Sequence, residues 1–159
     1  VTYVGQNLGA GNTKRIRKGV RSAVVIALFT SLIIACLMLL GGRSILGCFI
    51  SGTPKEASQT LQIAYYYLTV MSICLPVLYI LHITRSAIQG MGNTVLPLVS
   101  GIAEFIMRAS TAVFLPMLIG ETGIFYAEIM AWTGATVILI ISYFAVIRKM
   151  EKIYGNKDD

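Results

Sequence analysis

Apolar residues crowd into four long stretches, with polar residues gathered in the short gaps between them. The stretches run roughly over 20–40, 61–83, 95–118 and 123–147. Lengths of this order suit helices that cross a hydrocarbon layer ~30 Å thick at a rise of ~1.5 Å per residue. The gaps carry helix punctuation. Asn12, after Gly9-Ala10-Gly11, suits an N-cap for a helix whose first turns are amphipathic and basic. Thr53-Pro54-Lys55-Glu56 has the form of a capping box with proline at the first helical position, so a helix starts there, ahead of the second span. Gly90-Met91-Gly92-Asn93-Thr94 reads as a turn with Thr94 capping the third span, and Gly120-Glu121-Thr122-Gly123 as a tight link into the fourth. The residues before Asn12 read as polar and glycine-rich. Val rather than Met stands first and no signal-peptide pattern follows, so the chain reads as the tail of a longer polypeptide. The predicted architecture is an all-α integral membrane protein, with four transmembrane helices in one partial domain over 1–159.

Composition strengthens that reading. The chain is 56% hydrophobic and 13% charged, with a mean hydropathy of +0.76, whereas soluble domains carry about 25% charge. The net charge of +6 is concentrated in Lys14, Arg15, Arg17, Lys18 and Arg21, and in Arg148, Lys149, Lys152 and Lys157. Both clusters flank apolar spans, and no aromatic residues interleave with them to stack bases, so the distribution speaks for topology and against nucleic acid. With the N-terminal segment inside, the inner loops hold those nine cations and Arg85, while the outer loops hold Arg43 and Lys55. That is the positive-inside pattern, with the C-terminus cytoplasmic. Tyr65–Tyr67, Trp132, Tyr143 and Phe144 serve partly as interfacial anchors and partly as packing. Cys36, Cys48 and Cys74 show no paired spacing, which suggests neither a disulfide framework nor a metal site. The chain also lacks a nucleophile elbow, a zinc-binding His-Glu pattern and a phosphate-cradling loop with lysine, so it is not read as an enzyme.

Candidate chemistry lies deep in the third span. Glu104 and Arg108 stand about halfway along it, where a charge costs at least roughly 2.5–3.5 kcal/mol on insertion scales. Four residues apart, they share a helix face and can pair. Pro97, Ser100, Gly101 and Thr111 fall on the same face, a small and polar stripe opposite Leu, Val, Ile, Phe and Met. Two readings stand: a static ion pair that fixes helix packing, or a carboxylate that titrates or meets a cation while Arg108 tunes its charge. Pro76 removes one hydrogen bond inside the second span, which makes it a hinge candidate or a fixed bend. Glu128 and Trp132 form a face pair near the outer end of the fourth span, where snorkelling to water is cheap. His82 reads as an interfacial residue, with no second ligand nearby. Lys14–Arg21 could bind anionic lipid, although orientation alone explains the cluster.

Together these motifs resemble one family. The segment Val4-Gly5-Gln6-Asn7-Leu8-Gly9-Ala10-Gly11-Asn12, followed by Arg15, Lys18 and Gly19, is similar to the loop after the second helix of a half-domain in multidrug and toxic compound extrusion (MATE) transporters. Arg85-Ser86-Ala87-Ile88-Gln89-Gly90-Met91-Gly92-Asn93-Thr94, with Pro97, resembles a later cytoplasmic loop of that family. Gly101, Glu104 and Arg108 match a pattern of its bacterial members, as do Glu128 and Trp132, so the resemblance covers essentially the whole chain. It implies most of the C-terminal six-helix bundle, from the end of the eighth helix through the twelfth, with the N-terminal bundle outside this chain. It also implies export of amphiphilic, often cationic, drug-like compounds across the plasma membrane, driven by inward flow of protons or sodium ions, with no cofactor. Partners are then the small-molecule substrates, membrane lipids and the missing bundle. Family termini are cytoplasmic, in agreement with the charge pattern. Sodium-type members use a carboxylate on the helix corresponding to 61–83, which here contains no Asp or Glu. Both ions stay open, and Glu104 is the deep carboxylate to test. Two further readings are a flippase for lipid-linked oligosaccharides, which favours a strongly basic cavity, and a non-transporting scaffold, which needs no mid-membrane charge.

Overall fold

Helices carry the chain almost without interruption. The computed structural model describes residues 1–154. It contains α1 (Thr2–Gly9), α2 (Thr13–Gly47), α3 (Pro54–Gly90), α4 (Val95–Ile119) and α5 (Ile124–Tyr154), with a 3-10 turn at Glu121–Gly123. Lys157, one of the cations used to orient the chain, lies outside the described residues. All four long helices are long and apolar enough to cross a membrane. They overrun the apolar stretches that predict them. At 35 residues α2 is about 52 Å long, so it tilts or projects beyond a ~30 Å layer.

Local chemistry explains most of the boundaries. The Asn12 side chain accepts the Arg15 N–H at 3.0 Å and starts α2. At Thr53 the full capping box forms: its hydroxyl accepts the Glu56 N–H, and the Glu56 carboxylate accepts the Thr53 backbone N–H at 3.3 Å and also its hydroxyl at 2.6 Å. These bonds hold the Glu56 carboxyl below the usual carboxylate range. Thr94 does not cap α4, contrary to expectation. The neighbouring Asn93 does so, its side-chain oxygen accepting the Leu96 N–H at 3.0 Å, because an Asn side chain reaches that donor from one residue further back. Gly11, at φ 71°, makes the turn out of α1 in a region that favours glycine. Residues 2–9, read as a glycine-rich segment, form a helix. Val4 and Leu8, four apart, lie on one face and lean on the core, and that outweighs the cost of Gly5.

Consecutive long helices run in opposite directions. At one end Arg17 of α2 meets Glu151 of α5 at 2.7 Å, and α1 lies against Gly90 at the end of α3. We call this the basic end, because it carries the Lys14–Arg21 cluster. At the other end the Tyr65 hydroxyl donates to the Leu39 carbonyl at 2.7 Å, and the Tyr66 and Tyr126 hydroxyls lie 2.8 Å apart. The core sits toward the basic half, where Ile16, Leu81, Ile88, Leu139 and Ile147 are fully enclosed. Tyr143, and Trp132 nearer the other end of α5, are buried as well, as packing rather than as interfacial anchors, while Tyr66 and Phe144 stay exposed. Outward faces are apolar, with Phe29 and Leu32 on α2 and Phe105 and Phe114 on α4 exposed, as lipid requires.

Pro76 lies inside α3, which runs through it. Two turns and one turn before it, the Thr69 and Ser72 hydroxyls donate to the Tyr65 and Leu68 carbonyls, and Thr136 of α5 donates to the Val77 carbonyl at 3.4 Å. Hydroxyls of this kind commonly accompany a proline in a membrane helix.

Candidate functional site

The third-span pair proves to be the middle of a longer array. On α4, Glu104 and Arg108 are one turn apart, and Arg108 Nη2 donates to Glu104 Oε1 at 2.9 Å. The other carboxylate oxygen, Oε2, accepts from Arg85 Nη2 on α3 at 2.8 Å. Arg108 Nη2 also lies 3.0 Å from Glu128 Oε2 on α5. Four charges therefore alternate in sign along a ladder, Arg85–Glu104–Arg108–Glu128, that ties three helices together.

The ladder runs along the seams between α4 and its neighbours α3 and α5, partly open to the outside: the Arg108 side chain is 41% exposed and that of Glu128 28%. Arg85 stands five residues from the basic end of α3, and Glu128 lies in the second turn of α5 at the other end. Glu104 is the most enclosed member, its side chain 16% exposed. Burying any one of these ions alone is expensive, and an alternating row lets each charge meet an opposite one. The sum is neutral. Both Glu104 oxygens are engaged, so an incoming cation has to displace a guanidinium or share an oxygen with it. The Nε atoms of Arg85 and Arg108 are buried and find no acceptor among the described residues.

Two sequence expectations are corrected here. Arg85, counted among the inner-loop cations, belongs to α3, and its guanidinium turns into the bundle to meet Glu104. Glu128, expected to snorkel beside Trp132, instead pairs with Arg108, while Trp132 packs in the core. Both partners are 19 or 20 residues from their mates, beyond the reach of helical periodicity. The sequence carried no signal for either partner at that separation.

The remaining members of the small polar face behave as expected. Pro97 and Ser100 are buried, with the Ser100 hydroxyl 3.5 Å from the Ala135 carbonyl of α5, while Gly101 and Thr111 are half-buried. Arg85, Gln89, Thr94, Pro97 and Gly101 all line one cleft of about 640 Å³ between α3 and α4. Gln89 and Gly90, read as loop, are the last residues of α3, and Gly92 makes the following turn at φ 81°. The first motif lies across from the second. Gln6 and Gly9 are exposed on α1, and a Cβ at Gly90 would stand 2.7 Å from both the Val1 carbonyl oxygen and the Val4 Cβ, so α1 seats directly on the end of α3. Among the described residues no group of three or more His, Cys, Asp or Glu is placed to hold a metal ion.

An antiparallel bundle of four helices long and apolar enough to cross a membrane, with apolar outward faces, is the structure of a multi-pass membrane protein. The MatE family model matches residues 1–114, and the chain belongs to that family of transporters. Arg85, Glu104 and Arg108 lie within the matched region, and all of α5, with Glu128, lies beyond it. No curated protein and no solved structure matched the chain.

Proposed function

We propose that this chain forms most of the C-terminal bundle of a cation-coupled exporter of amphiphilic, cationic compounds, working with an N-terminal bundle of the same polypeptide in the plasma membrane. The observation that carries the reading is the ladder Arg85–Glu104–Arg108–Glu128. A proton or sodium ion arriving at Glu104 weakens its hold on Arg85 or Arg108, and that changes how α3 and α4 are tied. Bending of α3 at Pro76 and rocking of the two bundles about a midplane cavity then give alternating access. The positive-inside pattern supports a cytoplasmic basic end. A flippase for lipid-linked oligosaccharides fits less well, because within the ladder the two arginines are matched by two glutamates and do not make a strongly basic site.

A second reading has an observation of its own. With both Glu104 oxygens occupied and the charges in balance, the ladder also suits a fixed clamp among α3, α4 and α5. The readings part on function. In efflux-deficient cells expressing the complete polypeptide, export of a fluorescent lipophilic cation is followed while sodium and proton gradients are collapsed separately. Coupling predicts gradient-dependent export whose ion or pH dependence changes in Glu104→Gln. Export by Glu104→Gln with unchanged rate, pH profile and ion dependence would leave only the clamp.

A further inference from the structure

A long groove separates α2 from α3 at the basic end, and no member of the charge ladder lines it. Its mouth, about 810 Å³, is lined by Arg15, Lys18 and Ser22 of α2 and by His82 and Ser86 of α3, with Tyr3 of α1 among its walls. A second compartment of about 500 Å³ continues it, walled by Ala27, Thr30, Leu78 and Tyr79. The two share Ala23, Ile26, His82 and Ile83, so they form one channel open along its side.

Charge and depth together define an occupant. Of the five cations at 14–21, Arg17 is engaged by Glu151, whereas Arg15 and Lys18 have no carboxylate partner among the described residues. Below them the walls turn apolar. From Lys18 to Thr30 is about 18 Å along α2 at ~1.5 Å per residue, close to the ~15 Å of one leaflet of a ~30 Å layer. His82 sits exposed where the charged mouth gives way to the apolar trough and offers a ring N–H there. A free inorganic anion would leave the trough empty, and a cationic transport substrate would be repelled by Arg15 and Lys18.

We propose that this groove seats one anionic phospholipid of the leaflet at the basic end, its phosphate on Arg15 and Lys18, an ester oxygen at His82 and an acyl chain along Ala23, Ile26 and Leu78. The assignment stands whether or not the ladder couples transport to an ion.

The test uses the full polypeptide purified in detergent, with bound lipid counted by native mass spectrometry. Phosphatidylglycerol and phosphatidylcholine with the same acyl chains are titrated in parallel. Each basic residue near an anionic headgroup is worth about a fivefold factor. With two such residues, wild type therefore retains phosphatidylglycerol about 25-fold better, and Arg15→Gln/Lys18→Gln loses most of that preference without changing phosphatidylcholine. Ala23→Trp, which fills the trough, lowers retention of both lipids. Arg148→Gln/Lys149→Gln, which removes two cations at the same end outside the groove, has little effect. Equal retention of the two lipids, as when another segment of the polypeptide fills the groove, would overturn the proposal. So would an equal loss in the Arg148/Lys149 variant, which means a diffuse basic belt, or full retention in Ala23→Trp. Displacement of phosphatidylglycerol by equimolar glycerol phosphate would reduce the site to one for a free anion and overturn it as well.

Discussion

Between α2 and α3 the contact is made by shape. Ser31, Ala35 and Gly42 of α2 are buried, the Leu68 side chain fills the hollow over Gly42, and the Tyr65 hydroxyl donates to the Leu39 carbonyl. Along the opposite side α4 is joined to α3 and α5 by four charges as well as by close approach, with Met107 lying over Gly134 and Ser100 against Ala135. Lipid tails are as apolar as the side chains they replace, so neither contact draws on a hydrophobic drive between helices. The first depends on small residues that let backbones approach, and tolerates change one side chain at a time. The second depends on partners, since removing one charge leaves another stranded in hydrocarbon.

The largest effect should come from removing Glu104 and Arg108 together as Leu and Met. If they formed a private pair, their joint loss would be nearly neutral. In the ladder, that replacement strands Arg85 on α3 and Glu128 on α5, so we expect a loss of about 3–5 kcal/mol, read as thermal unfolding in detergent. A variant as stable as wild type would dissolve the ladder into independent pairs. On the shape side the expected loss is smaller. Gly42→Val pushes a branched side chain into Leu68, and Gly90→Val drives one into the Val1 carbonyl and Val4; each should cost about 1–3 kcal/mol. Gly90→Val should be the worse of the two, because a backbone oxygen cannot turn aside as the Leu68 side chain can. If Gly42→Val costs as much as the double charge removal, the contrast between the two regions fails.

The smallest effect lies outside both. Thr53→Ala removes the capping box and should cost about 1 kcal/mol, visible as faster amide hydrogen exchange in the first turn of α3 with the rest of the helix unchanged. The same turn carries a pH signature. Because the Thr53 bonds lower the Glu56 carboxyl in the folded state, their contribution is fully present above the usual carboxylate range and is lost as pH falls through the lowered value. Protection of the amides in this turn, taken relative to their intrinsic exchange rate at each pH, should therefore fall in acid in wild type and show no such step in Glu56→Gln.

What was legible in the sequence followed local rules. Hydropathy found all four spans, and the caps at Asn12 and Thr53 formed where their spacing placed them. Hydropathy underestimated helix length, because a helix continues past the hydrocarbon wherever polar residues still hydrogen-bond along it; α2 begins at Thr13, well before the apolar run at Val20. The short helix α1 was hidden by its glycines, since only contact of Val4 with the rest of the bundle makes it worth forming. The site divided in the same way. Glu104 and Arg108, one turn apart, were readable as a pair. Arg85 and Glu128 were not, because their places in the ladder depend on how α3 and α5 are set against α4, which no local period encodes.

The claim that Arg85, Glu104, Arg108 and Glu128 act as one alternating ladder is tested most directly by comparing Glu104→Leu with Arg85→Met/Glu104→Leu in thermal unfolding under identical detergent conditions. The single change leaves Arg85 without a carboxylate, and the ladder predicts a loss of about 3–5 kcal/mol. The double change removes a neutral pair and leaves Arg108 with Glu128, so it should recover most of that loss. A double variant no more stable than the single one would mean that Arg85 is not held by Glu104, and the ladder would not stand.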